Sequence, residues 1–174
     1  MKRLLIIMLT IAAATSCLKE GRNEFSWSKD IIGTMTTKDV STGQTVYSAE
    51  TAQAAIEMPD GFTKSINFHL DNVKFVGNMP AVSIVIPDLR FEVYNDTEEE
   101  LYPIGSWVIN QSDVIPTVGG IPYENYKMNT VTGVITDDTV KLTFTLMFGE
   151  IPYEVTFVKD NLVDQPDLPE KPEA

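Results

Sequence analysis

The sequence predicts an all-β fold: an antiparallel meander closing into a small barrel, with a two-sheet sandwich as the alternative. Three observations point there. From Phe25 onward Thr, Val, Ile, Phe and Tyr dominate, turn residues recur at short intervals, and apolar and polar residues alternate with a period of two. About eight or nine such runs follow one another without a long helical pattern.

The chain opens with Lys2 and Arg3, then an apolar or small-residue run over residues 4–14, then Ala14, Thr15 and Ser16 immediately before Cys17. That order is the charged, apolar and cleavage regions of an export signal. The apolar run is about half of the roughly 20 residues a helix needs to cross hydrocarbon, so it is not a permanent span. Cys17 is the sole cysteine, and an unpaired thiol in an exported protein is open to oxidation or intermolecular pairing. A lipoprotein signal removes that liability by alkylating the thiol with diacylglycerol and cutting before the cysteine. The plainer alternative is ordinary cleavage near Ala14, leaving a free thiol. The expected organisation is a signal at 1–16, a tether from the lipidated Cys17 over 17–30, a barrel at 31–160 and a disordered tail at 161–174. Pro166, Pro169 and Pro172 stand among acidic residues in that tail. Leu18 rather than Asp after the cysteine points to the outer membrane.

The formal charge is −12, and losing the two positives at Lys2 and Arg3 with the signal leaves −14. Such a chain is repelled by nucleic acid and by anionic lipid surfaces. Its length suits one domain, stabilised by its core alone because no disulfide can form.

Within the domain, Ile66, Phe68 and Leu70 alternate with Asn67, His69 and Asp71, the pattern of a half-buried strand. The apolar phase then moves to Val73 and Phe75, which predicts a bulge near Asn72. Val82, Ile84 and Ile86 repeat the alternation up to Pro87, and Leu89, Phe91 and Val93 resume it, so Pro87 marks a bend or an edge. The clearest hairpin has Val140, Leu142, Phe144, Leu146 and Phe148 on one arm and Ile151, Tyr153, Val155 and Phe157 on the other, joined by Gly149-Glu150. A strand over 127–135 enters the turn at Asp137-Asp138. Earlier strands are expected over 31–36, 45–49 and 52–58, although Ala52, Ala54 and Ala55 would also suit a short helix. Residues 95–125, rich in Pro, Gly and acids, read as one long connection.

Gly33-Thr34-Met35-Thr36, the run Phe68-His69-Leu70-Asp71-Asn72-Val73-Lys74-Phe75, the run Met79-Pro80-Ala81-Val82 and the closing strands over 142–157 resemble the calycin-like β-barrel lipoproteins of Bacteroidetes. Ala-Thr-Ser-Cys is similar to the looser lipobox of those bacteria. Val73 stands where that family often has Phe, and Ala81 where it often has Val. The resemblance implies a small lipocalin-reminiscent barrel; it implies no activity and no catalytic residues.

Catalytic constellations are sparse. His69 is the only histidine and Cys17 is committed to lipid, which removes His-rich metal sites and cysteine nucleophiles. His69 and Asp71 share a strand face, but a solvated polar face explains both, and no serine lies in a nucleophile-elbow pattern. Asp96, Glu98, Glu99 and Glu100 lack the glycine and carbonyl spacing of a calcium loop. No metal and no cofactor is expected. Binding suits the composition better. Tyr102, Trp107, Tyr123 and Tyr126 are amphipathic aromatics that favour recognition and carbohydrate stacking, with core packing as the competing role for Trp107 and Tyr126. Asp138-Thr139-Val140 resembles the Asp-Ser/Thr-hydrophobic O-glycosylation site of Bacteroidetes, which makes Thr139 a candidate for modification; a plain turn threonine is the alternative. The expected function is therefore a non-catalytic cell-envelope lipoprotein that binds a small molecule, glycan, peptide or protein. A carboxylate-based hydrolase or an inhibitor-like protein is the alternative.

Overall fold

The computed structural model describes residues 27–59, 63–96 and 101–160; the signal, Cys17, Glu98 to Glu100 and residues 161–174 lie outside the described residues. Ten strands follow in chain order: β1 (Trp27–Asp39), β2 (Thr45–Met58), β3 (Ser65–Val73), β4 (Val82–Val93), β5 (Trp107–Val114), β6 (Thr117–Val118), β7 (Ile121–Pro122), β8 (Met128–Ile135), β9 (Val140–Phe148) and β10 (Ile151–Lys159). A single 3-10 turn, Glu124–Tyr126, precedes β8.

Eight of these strands, all but β6 and β7, run up and down as antiparallel neighbours. The last returns to the first, with Thr34 opposite Val158 and Thr36 opposite Thr156, so the sheet closes on itself. That closure decides for the barrel over the sandwich. The short β6–β7 hairpin lies on the outside and joins β4 at Val85 and Thr117.

Alternation explains what fills the barrel. Ile31 and Met35 on β1, Ile66, Phe68 and Leu70 on β3, and Leu142, Phe144 and Leu146 on β9 are at most 1 % exposed. Eight strands leave an interior just wide enough for side chains, and large rings occupy it. Phe68 meets Phe157 edge to face at 5.4 Å, and Phe75 meets Phe144 at 6.0 Å. With an apolar side chain at every second position, the opposite phase of each strand is left for polar residues.

The irregularities fall where the sequence has its breaks. Asn72 has φ of 50°, and the β3–β4 register shifts between Leu70 and Val73, as the change of apolar phase predicts. Pro87 and Asp88 together face Asn67, and the Asp88 N–H, left over by the extra residue, donates to Asn67 Oδ1 at 3.0 Å. Gly149 carries φ of 64° at the first loop position between Phe148 and Ile151, the conformation a two-residue hairpin turn requires.

One open alternative is decided for the strand over 52–58, and two expectations are corrected. Ala52 and Ala54 start no helix; they are inward residues of β2, opposite Gly33 and Ile31. Their small size leaves room for the large rings of the interior. Strand β1 starts at Trp27 rather than Ile31, so Trp27 to Asp30, read as tether, are paired to Ala55–Met58. Residues 95–125 are not one connection. They contain β5, in which Trp107, Ile109 and Val114 are buried and the polar run Asn110, Gln111, Ser112 and Asp113 disguises the strand in the sequence.

The meander gives the barrel two ends. One gathers the β1–β2, β3–β4, β5–β8 and β9–β10 connections. The other gathers the β4–β5 and β8–β9 connections with the start of β1 and the end of β10.

Candidate functional site

An open groove of about 1130 Å³ lies on the outer wall, formed by β1, β10, β9, β8 and β5 and overhung by Tyr102 and Pro103 of the β4–β5 connection. A coiled, twisted sheet is saddle-shaped, so even the outside of a barrel can be concave along one diagonal. Strand registers align its residues in rows across the wall. One row reads Thr36, Thr156, Thr143, Thr132 and Asn110. The next, towards Tyr102, reads Thr34, Val158, Lys141, Val134 and Val108. On the far side of the threonine row, Lys38 stands opposite Glu154.

The hydroxyls are partly engaged with one another. Thr143 and Thr156 lie 3.2 Å apart through their oxygens, and Thr34 donates to the Val158 carbonyl at 3.4 Å. A hydroxyl both donates and accepts, so each still has capacity towards a ligand. The overhang is held in place. The Gly105 N–H donates to the Tyr94 carbonyl at 2.7 Å, Ser106 Oγ donates to the Pro103 carbonyl at 2.5 Å, and the Tyr94 hydroxyl accepts from the Leu101 N–H at 3.1 Å. Tyr102 packs edge to face with Tyr94 at 5.4 Å and stays partly exposed.

The four aromatics expected to share a recognition surface are divided between the two ends. Tyr102 lines the groove. Trp107, next along the chain, is 7 % exposed and stacks on Phe91 at 4.3 Å as part of the core. Tyr123 and Tyr126 sit at the opposite end, 4.8 Å apart, where Tyr126 meets Phe75 and Phe148 and caps the interior. Burial raises the Tyr126 phenol above its ordinary pKa, with Tyr123 adding to the effect. Thr139 is half-buried in the β8–β9 turn and also lines the groove. Its N–H donates to Thr136 Oγ1 at 2.9 Å, and the two hydroxyl oxygens are 2.9 Å apart.

His69 faces outward and its Nε2 lies 3.0 Å from Glu57 Oε2, not against Asp71. Asp71 instead accepts from the Ser83 hydroxyl. Glu57 also accepts from Asn67 Nδ2 at 3.0 Å, and that bond, followed by the one to His69, holds its carboxyl below the ordinary range. Serine, imidazole and carboxylate are thus paired off in the wrong order for a relay, which needs the imidazole between the other two. Among the described residues no group of three or more His, Cys, Asp or Glu could hold a metal ion, and no helix is long and apolar enough to cross a membrane. The row of four hydroxyls and one amide could not be found from sequence, because its members come from five separate strands.

These features define a closed eight-stranded antiparallel β-barrel, calycin-like in general shape, with a two-stranded hairpin on its outside. The chain matches no protein-family model, no curated protein and no solved structure at a significant level.

Proposed function

We propose that the protein is a non-catalytic lipoprotein of the cell envelope, of the Bacteroidetes calycin-like barrel kind its motifs resemble, and that it binds a ligand or partner on its outer wall. The signal and Cys17 support export and lipid anchoring in the outer membrane. The observation that carries the binding reading is the groove of about 1130 Å³ on a barrel whose inward positions are taken by its own side chains. A lipocalin-like ligand inside the barrel would have to displace Phe68, Phe75, Phe144 and Phe157. A ligand on the wall displaces only water. Small molecules, glycans, peptides and proteins are the partner classes considered, and nucleic acid is disfavoured by charge.

Two measurements test this. Wild type and Cys17→Ala are compared for membrane association and intact mass; an unlipidated wild type ends the anchoring half. The protein and a groove-filling Thr143→Trp variant are then incubated with fractionated envelope extract, and bound and released components are followed over time. Retention lost in the variant, with the retained component chemically unchanged, supports binding. Among the described residues, Asp138 and Glu154 are the carboxylates that line the groove. Steady release of cleaved product that stops with Asp138→Asn or Glu154→Gln replaces the reading with the hydrolase alternative.

A further inference from the structure

We infer that the outer groove takes an uncharged oligosaccharide, an inference that rests on the binding reading above and narrows it to one ligand chemistry. Charge narrows the ligand class. Among the described residues the lining carries two cations, Lys38 and Lys141, against two carboxylates, Asp138 and Glu154. An anionic ligand is repelled by the surrounding surface and finds no excess of cations in the groove. A cationic one finds no excess of carboxylates among the same lining residues. A balanced lining suits a neutral ligand.

The pairing of rows points the same way. A row of hydroxyl and amide groups (Thr36, Thr156, Thr143, Thr132, Asn110) runs beside a row that includes Val158, Val134 and Val108. Sugar rings have the matching construction: edges of hydroxyls that both donate and accept, and faces of C–H groups that pack on apolar side chains. Neighbouring strands are spaced about 4.8 Å apart, so the hydroxyls form a repeating track rather than one isolated contact. Tyr102 adds a pinned and partly exposed aromatic at the valine side of the groove. Amphipathic rings of this kind give a large contact area while keeping a polar tip in water.

An extended peptide is the competing ligand. Peptides that join a sheet do so through unpaired backbone groups of an edge strand. Here β1, β10, β9 and β8 are each paired on both sides, so the wall offers side chains only. That favours a ligand recognised through hydroxyls and C–H faces.

The test is calorimetric titration of the full chain with linear neutral pentasaccharides of glucose, xylose, mannose and N-acetylglucosamine, alongside an oligogalacturonate and a capped pentapeptide. Four proteins are compared: wild type, Tyr102→Ala, the double variant Thr143→Val/Thr156→Val, and Tyr123→Ala. The double variant keeps shape and removes hydroxyls, and melting temperatures confirm that each protein is folded. The expected result is that at least one neutral pentasaccharide binds, and that Tyr102→Ala weakens it about tenfold. The valine pair should weaken it comparably, while Tyr123→Ala at the far end changes nothing. If only the oligogalacturonate or the peptide binds, and the groove variants weaken it, this inference falls while the binding reading stands. If neutral sugar binding is lost in Tyr123→Ala alone, the site has been misassigned. If no probe binds, this inference is overturned, and retention from envelope extract decides the broader reading separately.

Discussion

The ring of Phe157 lies over the backbone of Gly33, so close that a β-carbon at position 33 would come within 2.5 Å of Cζ and would also collide with the Val158 carbonyl oxygen. Gly33 lies on the inward face of β1 beside a register shift between Gly33 and Met35. The missing side chain is what lets Phe157 reach Phe68 across the interior. Gly33→Ala is therefore expected to cost about 1–3 kcal/mol, because backbone rather than a flexible side chain must move. Gly133→Ala is the control. Its β-carbon would press first on Leu142 Cδ1 at 2.7 Å, the mobile end of a side chain, so denaturant midpoints should show the smaller loss there. Equal losses would mean that the Val158 carbonyl yields easily.

Phe144 and Leu146 are fully buried, while Thr143 and Thr145 on the other face of β9 are half-exposed. Phe144→Ala should cost about 3–5 kcal/mol through lost burial and the cavity left behind. Thr143→Ala and Thr145→Ala should each cost far less. Urea unfolding of the three variants checks the alternation, and similar losses at all three positions would contradict it.

Thr37 is fully buried, and its Oγ1 has no hydrogen-bond partner. Valine has nearly the same shape without the hydroxyl. Thr37→Val should stabilise the fold by about 1 kcal/mol, since an unsatisfied buried polar group carries its desolvation cost uncompensated. A destabilised variant would show that this hydroxyl is satisfied in solution.

Glu57 links β2 to β3 through Asn67 and His69. Its carboxyl is held below the ordinary value of 4.5, chiefly by the Asn67 hydrogen bond and then by that to His69. A depressed carboxylate pKa stabilises the fold above the unfolded-state value, and this contribution is lost as pH falls through the lower folded-state value. The stability difference between wild type and Glu57→Gln should therefore be fully present about one pH unit above 4.5 and shrink as the solution is acidified through 4.5 and on through the lower folded-state value. A difference that grows on acidification would reverse the assigned sign.

Thr139 is the modification candidate, and its place in the groove sharpens that proposal. A glycan on its hydroxyl would break the contact with Thr136 and occupy the end of the groove near Tyr102. If native protein from its own host carries the sugar, intact mass should exceed polypeptide plus lipid, and Thr139→Ala should remove the excess. Modified protein should then bind groove ligands more weakly than unmodified protein. A mass fully explained without sugar rules the modification out.

What could be read from the residues alone is local and periodic. The β9–β10 hairpin was legible because Val140 to Phe148 alternate without a break and Gly149 supplies the one turn conformation that lets them fold back. The bulge at Asn72 was legible because an extra residue reverses the inward phase of everything after it. Strand β5 was hidden. Beyond Ile109, the outward Asn110 and Ser112 flank Gln111 and Asp113, which break the alternation, and prolines and glycines stand on both sides. Closure of the barrel and assembly of the groove belong to the tertiary structure alone. The pairing of Thr36 with Thr156 joins residues from opposite ends of the domain, and Tyr102 and Tyr123 are parted because β5 carries the chain from one end of the barrel to the other. Periodicity tells which face of a strand is buried. It cannot tell which strands become neighbours, because that choice depends on long-range registers set only when the whole interior is packed.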